Sequence, residues 1–405
     1  MRPPTQRLPL AVHALAFGIF CLGTSEFMLA GLLLQIAADL DVSISDAGLL
    51  ISAFAIGMMI GAPIMTLATL RLPQRATLLG AAVVFGLAHI VPFVVEGYVS
   101  QLVGRIVAAV ACATYWAVAA VVATKIAGPE RTARAMAVLV GGLTLANVVG
   151  VPAGTWIGGA FGWQAAFVAI AVATGAVLVL LRSLVPVLPD EHAARSMKEL
   201  VRSETRGFRD RRLWLALATT ASFQAAVFCT FSYLAPLITD VAGLPDSGVP
   251  LVLLLFGVGT FVGVTVGGRY ADRDMLINVI TSLIAMVLAL LLLSALAGSE
   301  VGVVVAVFVL GATAFSIAAA LNGRVFAFAG EAPTLAASVN VSAFNVGNAL
   351  GPWLGGVVLS AGLGLRAPVW MGALLGIVAL GFAATSWRVE RPRITEKERE
   401  ESLCR

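Results

Sequence analysis

Glu26 is the residue in this 405-residue sequence whose type and place point to chemistry. Of the 22 acidic residues it alone sits deep inside a long apolar run, from about Leu10 to Ala37. The other acids fall at the ends of such runs or between them. A carboxylate in an apolar medium is costly unless it is protonated, paired or hydrated. A group so placed is suited to loading a proton and releasing it when a cation or ligand approaches. The alternative is a neutral structural Glu, hydrogen-bonded to Thr24 or Ser25. Arg105 is the only Lys or Arg well inside a run rather than near one of its ends. Its guanidinium keeps its charge, so it needs a partner: Glu26, backbone carbonyls, water or a ligand. Helical periodicity puts Ala108, Cys112 and Trp116 on its face. Two readings stay open for Arg105, a proton-relay partner in a cavity or a staple to the carbonyls of a neighbouring helix.

Phe27, Tyr115, Trp116, Asn147, Phe223, Gln224, Phe231, Asn345 and Asn348 lie within other parts of the apolar runs. Aromatic faces with a few amides suit a lipophilic ligand that also hydrogen-bonds, although Phe and Tyr also face lipid. Cys21, Cys112, Cys229 and Cys404, with His13, His89 and His192, show no metal-ligand or disulfide spacing, so no metal is expected. No Gly-Lys-Ser/Thr loop points to a nucleotide, and no cofactor is expected. Catalysis at membrane depth would need a cluster of functional groups, so an enzyme is not expected either.

The elements that must position these residues follow from composition. The chain is 60% hydrophobic and 12% charged, against about 45–50% and about 25% in soluble domains. That excludes disorder and a nucleic-acid-binding tail protein, and leaves the lipid bilayer as the surrounding medium. Apolar runs fall at about 10–37, 46–70, 76–95, 98–125, 134–160, 164–187, 213–240, 247–270, 276–298, 301–326, 333–361 and 367–387. Their length indicates helices rather than barrel strands. The first run is too long for the apolar core of a signal peptide and reads as a retained span. The expected fold is an all-α membrane protein. Twelve transmembrane helices form two six-helix halves around a central cavity. The expected division is 1–187, a charged linker 188–212, 213–388 and a charged tail 389–405.

With the N-terminus in the cytoplasm and sides alternating, 24 of the 26 Lys and Arg fall on cytoplasmic segments. Only Arg105, within a span, and Arg366 do not. The positive-inside rule therefore places both termini in the cytoplasm. The halves also repeat. Gly61 pairs with Gly263, Arg71 with Arg273 and Gly162 with Gly364 at an offset of 202. Asn147, Gly150 and Gly154 pair with Asn348, Gly351 and Gly355 at 201. Parallel six-helix repeats are the plan of a two-domain transporter with its site at the membrane midplane.

At this point the chain resembles the major facilitator superfamily, over nearly its whole length. Gly263 and the segment Gly267-Gly268-Arg269-Tyr270-Ala271-Asp272-Arg273 resemble that family's loop signature. The first-half copy keeps Gly61, Arg71 and Arg75, but has Leu70 in place of the acid and Pro73 in place of a Gly. The segment Gly23 to Gly31, with Gly61-Ala62-Pro63 and Phe161-Gly162-Trp163, resembles the drug/proton antiporter branch. Within that branch, it is similar to bacterial chloramphenicol-resistance exporters and arabinose-export-like relatives. The resemblance implies a proton-coupled exporter of a small lipophilic drug, of the phenicol type, in the bacterial cytoplasmic membrane. Efflux of a sugar or other polar metabolite is the alternative. It implies Glu26 and Arg105 as the proton-coupling pair and Arg269, Asp272 and Arg273 as a gating latch. Gly150, Pro152, Gly154 and Gly158 form a small-residue stripe, and the resemblance implies that their helix packs across the seam between halves. The expected partners are a small-molecule substrate, protons and lipid, with no nucleic acid, and the expected state is a monomer.

Overall fold

The computed structural model describes residues 8–69, 72–95, 97–128, 131–188, 210–271, 273–328 and 333–403. Among these, ten helices are long and apolar enough to cross a membrane, and Gln74–Val94 and Pro333–Ser360 complete twelve. We number the spans α1 to α12. In the first half, α1 is Leu10–Phe27 continued by Leu29–Asp39, α2 is Ile44–Thr69, α3 is Gln74–Val94 and α4 is Tyr98–Ala127. Span α5 is Thr132–Leu145, a π-helical turn Ala146–Gly150 and Val151–Phe161; α6 is Trp163–Leu184. In the second half, α7 is Arg211–Phe231, extended by Leu234–Pro236 and Leu237–Val241, and α8 is Val249–Ala271. Span α9 is Met275–Leu296, α10 is Glu300–Phe315 with Ala318–Phe328, α11 is Pro333–Ser360 and α12 is Ala367–Leu403. Helices fit this composition because each satisfies its own backbone groups, which lipid cannot do. The charged segment expected as a separate tail continues α12 to Leu403. Residues 189–209 of the expected linker lie outside the described residues.

Burial sorts the spans into inner and outer rings. The apolar windows of α1 and α7 are 67% and 72% buried, that of α6 only 33%. The outer faces carry aliphatic rows, such as Val83, Val84 and Leu87 on α3 and Ile284, Leu288 and Leu291 on α9. Those rows are what lipid would cover.

The repeat is visible in the packing. Gly57 and Gly61 of α2 meet α4 at Ile106, Ala109 and Val110; Gly259 and Gly263 of α8 meet α10 at Phe308 and Ala312. Likewise α5 packs on α1 and α11 packs on α7. Gly150, Gly154 and Gly158 face Thr24, Met28 and Leu32 of α1, while Gly351 and Gly355 face Phe228 and Tyr233 of α7. The glycines of the stripe therefore pack inside their own half, while another face of the same helix meets α8 across the seam, as expected of that helix. Residues 150, 154 and 158 turn toward α1 because they share one helical face. Pro152 lies in the first turn after the π-helical segment. There its missing N–H falls where the α-helical ladder is already interrupted.

The seam has two sides. Helix α2 runs antiparallel to α11. The Ser45 hydroxyl donates to the Gly356 carbonyl at 3.1 Å, Ser52 to Ala349 at 2.9 Å and Ser342 to Met59 at 3.0 Å. On the other side α5 meets α8, where a Cβ at Gly257 would stand 2.6 Å from the Asn147 carbonyl oxygen. Only glycine lets these two backbones come so close. One seam contact lies nearer the centre, with Phe27 of α1 and Phe228 of α7 5.7 Å apart between ring centroids.

Candidate functional site

The sequence does not announce that α1 breaks at Met28, two residues after Glu26. An interrupted helical ladder leaves carbonyls in need of donors, and in lipid those donors must come from protein. Arg105 supplies them. Its guanidinium donates to the Ser25 carbonyl at 3.1 Å and lies 3.5 Å from the Glu26 carbonyl. It also donates to the Ser25 hydroxyl at 3.2 Å and sits 4.3 Å above the Phe54 ring of α2. Arg105 is 3% exposed and its Nε has no partner. Of the two readings open for Arg105, this conformation shows the staple to carbonyls.

The Glu26 side chain turns the other way, toward the second half. Its carboxyl accepts from Asn348 Nδ2 of α11 at 3.3 Å. Asn348 in turn accepts from Gln224 Nε2 of α7 at 2.8 Å and lies 3.5 Å from the Asn345 amide oxygen. Gln224 is 5% exposed, and its own amide oxygen is unpaired. The structure therefore brings together Glu26, Arg105, Gln224, Asn345 and Asn348, drawn from α1, α4, α7 and α11. Beside them Phe27 touches Phe228, Phe228 touches Phe231, and Phe231 lies 4.9 Å from Phe256. Phe315 joins Phe256 to Phe223. Four amide and carboxyl groups thus stand beside an aromatic cluster.

Other expected residues lie apart. Tyr115 is fully buried between α4 and α1, over Gly18, and its hydroxyl donates to the Leu15 carbonyl at 3.3 Å. Its place is in the packing of the first half, because among the described residues its hydroxyl bonds to that carbonyl alone. Trp116 is partly buried against the core. Asn147 donates to Leu143 of its own helix at 3.3 Å, within the π-helical turn, and meets the second half through its backbone. Arg269 is exposed, and Arg273 lies 5.9 Å from the Tyr270 ring centroid. Asp272 lies outside the described residues, so the three-residue latch is not assembled among those described.

Two residues in the site were not singled out by sequence reasoning, Ser25 as a partner of Arg105 and His89. His89 of α3 is 1% exposed and stands 2.5 Å from the Ser25 hydroxyl. Testing the histidines only for metal spacing passes over it. Its position inside the third apolar run was the available signal. The second piece of α1 is held separately, since Trp163 Nε1 of α6 donates to Asp39 at 2.8 Å. A distinct cavity of 280 Å³ opens between α1, α5, α7 and α8, lined by Gln35, Thr155, Trp156, Thr239 and Asp246 among others. It lies toward the face of the bundle opposite the chain ends. Among the described residues no cluster of His, Cys, Asp and Glu could hold a metal.

The arrangement is a carboxyl beside a helix break, facing the partner half across a seam. Comparison with known proteins decides the family. The pattern of the Major Facilitator Superfamily matches residues 15–337. The chain belongs to that superfamily. It is 39% identical over 378 residues to a chloramphenicol resistance protein of Streptomyces lividans, covering 92% of this chain and 95% of the relative. It is 36% identical over 367 residues to the inner membrane transport protein YdhP of Escherichia coli (strain K12), covering 91% and 93%. Its fold is similar to that of a bacterial homologue of the human lysosomal transporter Spinster, solved in an inward-facing, unoccupied conformation. The TM-score is 0.75 at 17% identity, covering 94% of this chain and 96% of the other. This superfamily member is thus a multi-pass membrane transporter of two six-helix halves.

Proposed function

We propose that this transporter is a proton-coupled antiporter of the bacterial inner membrane that exports a small lipophilic drug of the phenicol class. One observation carries the reading. The Glu26 carboxyl belongs to the first half and is hydrogen-bonded to Asn348 of the second, so its charge state acts on the contact between halves. Protonation from outside resets the empty carrier. Substrate entering between the halves competes for Asn348 and Gln224 and favours release of the proton inward. Rocking of the halves then alternates access. The aromatic cluster with its amides suits a ring bearing hydroxyl or amide groups, and the chloramphenicol resistance relative supports that class.

Both termini are cytoplasmic in this reading. The α5–α8 contacts at Asn147 and Gly257, and at Thr155, Gly31 and Leu253, then lie at mid-depth and toward the outside. The conformation is one closed to the outside, with the 280 Å³ cavity as the outer vestibule.

The test is accumulation of chloramphenicol in cells expressing the chain. Expression lowers accumulation and a protonophore abolishes the difference. Unchanged accumulation across the phenicols, with export of a pentose instead, would replace the drug by a polar metabolite and leave the carrier fold untouched.

A further inference from the structure

Two adjacent hydroxyls on α1 behave differently. Thr24 donates to the Phe20 carbonyl at 2.7 Å, the usual local solution for a hydroxyl in a helix. Ser25 turns outward to His89 instead. The direction of that bond is fixed by the ring's other nitrogen. His89 Nδ1 lies 2.7 Å from the Phe85 carbonyl oxygen, which only accepts, so Nδ1 carries a hydrogen. In the neutral ring Nε2 is then an acceptor and takes the Ser25 hydroxyl proton. The Ser25 oxygen is left with its lone pairs toward Arg105, which donates to it. The bonds run one way, from Arg105 to Ser25 to His89 to Phe85. The His89 ring is clamped between Phe85, at 4.4 Å, and Phe167 of α6, at 5.5 Å.

We infer that His89 is a positioning residue for proton coupling: acting through Ser25, it holds Arg105 on the α1 break and away from the Glu26 carboxyl. This rests on the reading of Glu26 as the coupling group. Arg105 bonds to the backbone at Ser25 and Glu26 and makes no ion pair within 4.0 Å with the Glu26 side chain. Glu26 is thereby left free to bond Asn348. With the Ser25 oxygen no longer oriented, Arg105 loses one of its fixed acceptors and gains freedom to swing toward the carboxyl. The titratable or charged groups facing this chain are Glu26 from α1, His89 from α3 and Arg105 and Cys112 from α4. Helices α2 and α6 present the Phe54 and Phe167 rings. Cys112 is fully buried and changes in none of the variants below.

The experiment compares the pH profile of chloramphenicol-induced proton release from purified wild type, S25A, H89L, H89Q, the S25A/H89L double variant and E26Q. Gln can place an amide oxygen near the position of Nε2 and so keep an acceptor for Ser25. S25A and H89L are expected to move the midpoint equally, by about one pH unit, the size of a lost hydrogen bond to a charged group. The double variant should move it no further, because both changes cut one chain. H89Q should stay near wild type. S25A removes one oxygen only, so it tests the chain even where H89L folds poorly. Wild-type profiles in S25A and H89L, or additive shifts in the double variant, overturn the inference while proton coupling at Glu26 stands. Proton release by E26Q on addition of chloramphenicol removes the coupling reading itself, and the inference falls with it.

Discussion

Glu26 takes part in two sets of contacts that share no atoms. Its backbone carbonyl is held by Arg105 within the first half, and its carboxyl reaches Asn348 in the second. On the proposed mechanism Glu26→Gln keeps the shape and ends the proton cycle, so active export should stop while binding persists. Stability should change by less than about 1 kcal/mol, since the acceptors that hold Arg105 are the Ser25 groups and the residue 26 carbonyl, which the substitution keeps. Thermal melting of the purified variant and export against a gradient check the two halves of that statement. Continued export by a folded Glu26→Gln would make Glu26 structural, and Asp39, held by Trp163, would be the next carboxylate to test. Glu26 and Arg105 were legible in the sequence because a charge inside an apolar run has few explanations. Ser25 was not legible, since a neutral hydroxyl acquires meaning only once neighbouring helices bring partners within reach; His89 carried a signal in its place inside an apolar run, but its partners came only with the packing of three helices. Tyr115 shows the reverse case: an aromatic with a polar tip reads as a ligand contact until Gly18 and the Leu15 carbonyl account for it.

The elements differ from the sequence expectation in where they break. Hydropathy follows side chains and is blind to an interrupted ladder, so the runs were visible and the breaks at Met28, Ala146–Gly150, Ser232–Tyr233 and Ser316–Ile317 were not. The small-residue stripe was legible as close packing, but its partner was not, because spacing gives the face of a helix and not the neighbour it meets. That neighbour is α1, and the close approach of α5 across the seam falls to Gly257 on α8 instead. Gly257→Val should therefore push α5 and α8 apart and cut transport by about tenfold or more while the protein still inserts. Paired cysteine cross-linking of α5 to α8 reads the change directly, and cross-linking at the wild-type rate would contradict it. A second element-scale prediction concerns α10 and α12. Arg324 of α10 is largely buried and pairs with Glu390 of α12 at 2.6 Å, with Ser386 bonded to both. Glu390→Ala leaves that guanidinium uncompensated and should destabilise the fold by about 3 kcal/mol. The loss should appear in thermal unfolding, with transport per folded molecule preserved. An unchanged melting temperature would mean that water serves Arg324 as well as Glu390 does.

For the whole molecule, the repeat supplies the scaffold and the buried charged groups of the candidate site, Glu26 and Arg105, sit in one half of it. At the offset of 202 that relates Gly57 to Gly259 and Gly61 to Gly263, Glu26 corresponds to Phe228, His89 to Leu291 and Arg105 to Val307. The first half presents a charge held by a polar chain, and the second answers with aromatic rings and amides. A proton taken up by such a carrier therefore loads one half only, and its access depends on which face of the bundle lies outside. In the proposed orientation, 24 of the 26 Lys and Arg fall on the cytoplasmic side. Asp41, exposed between α1 and α2, then faces outward, and the segment around Glu199 faces the cytoplasm. Cys21, Cys112 and Cys229 are buried and should not react with an impermeant maleimide, so replacing Cys404 gives a quiet background. A cysteine placed at Asp41 should label in intact cells, and one at Glu199 should label only after the membrane is opened. The reverse pattern would turn the bundle over. The α5–α8 contacts would then close the cytoplasmic side, and the 280 Å³ cavity would open inward.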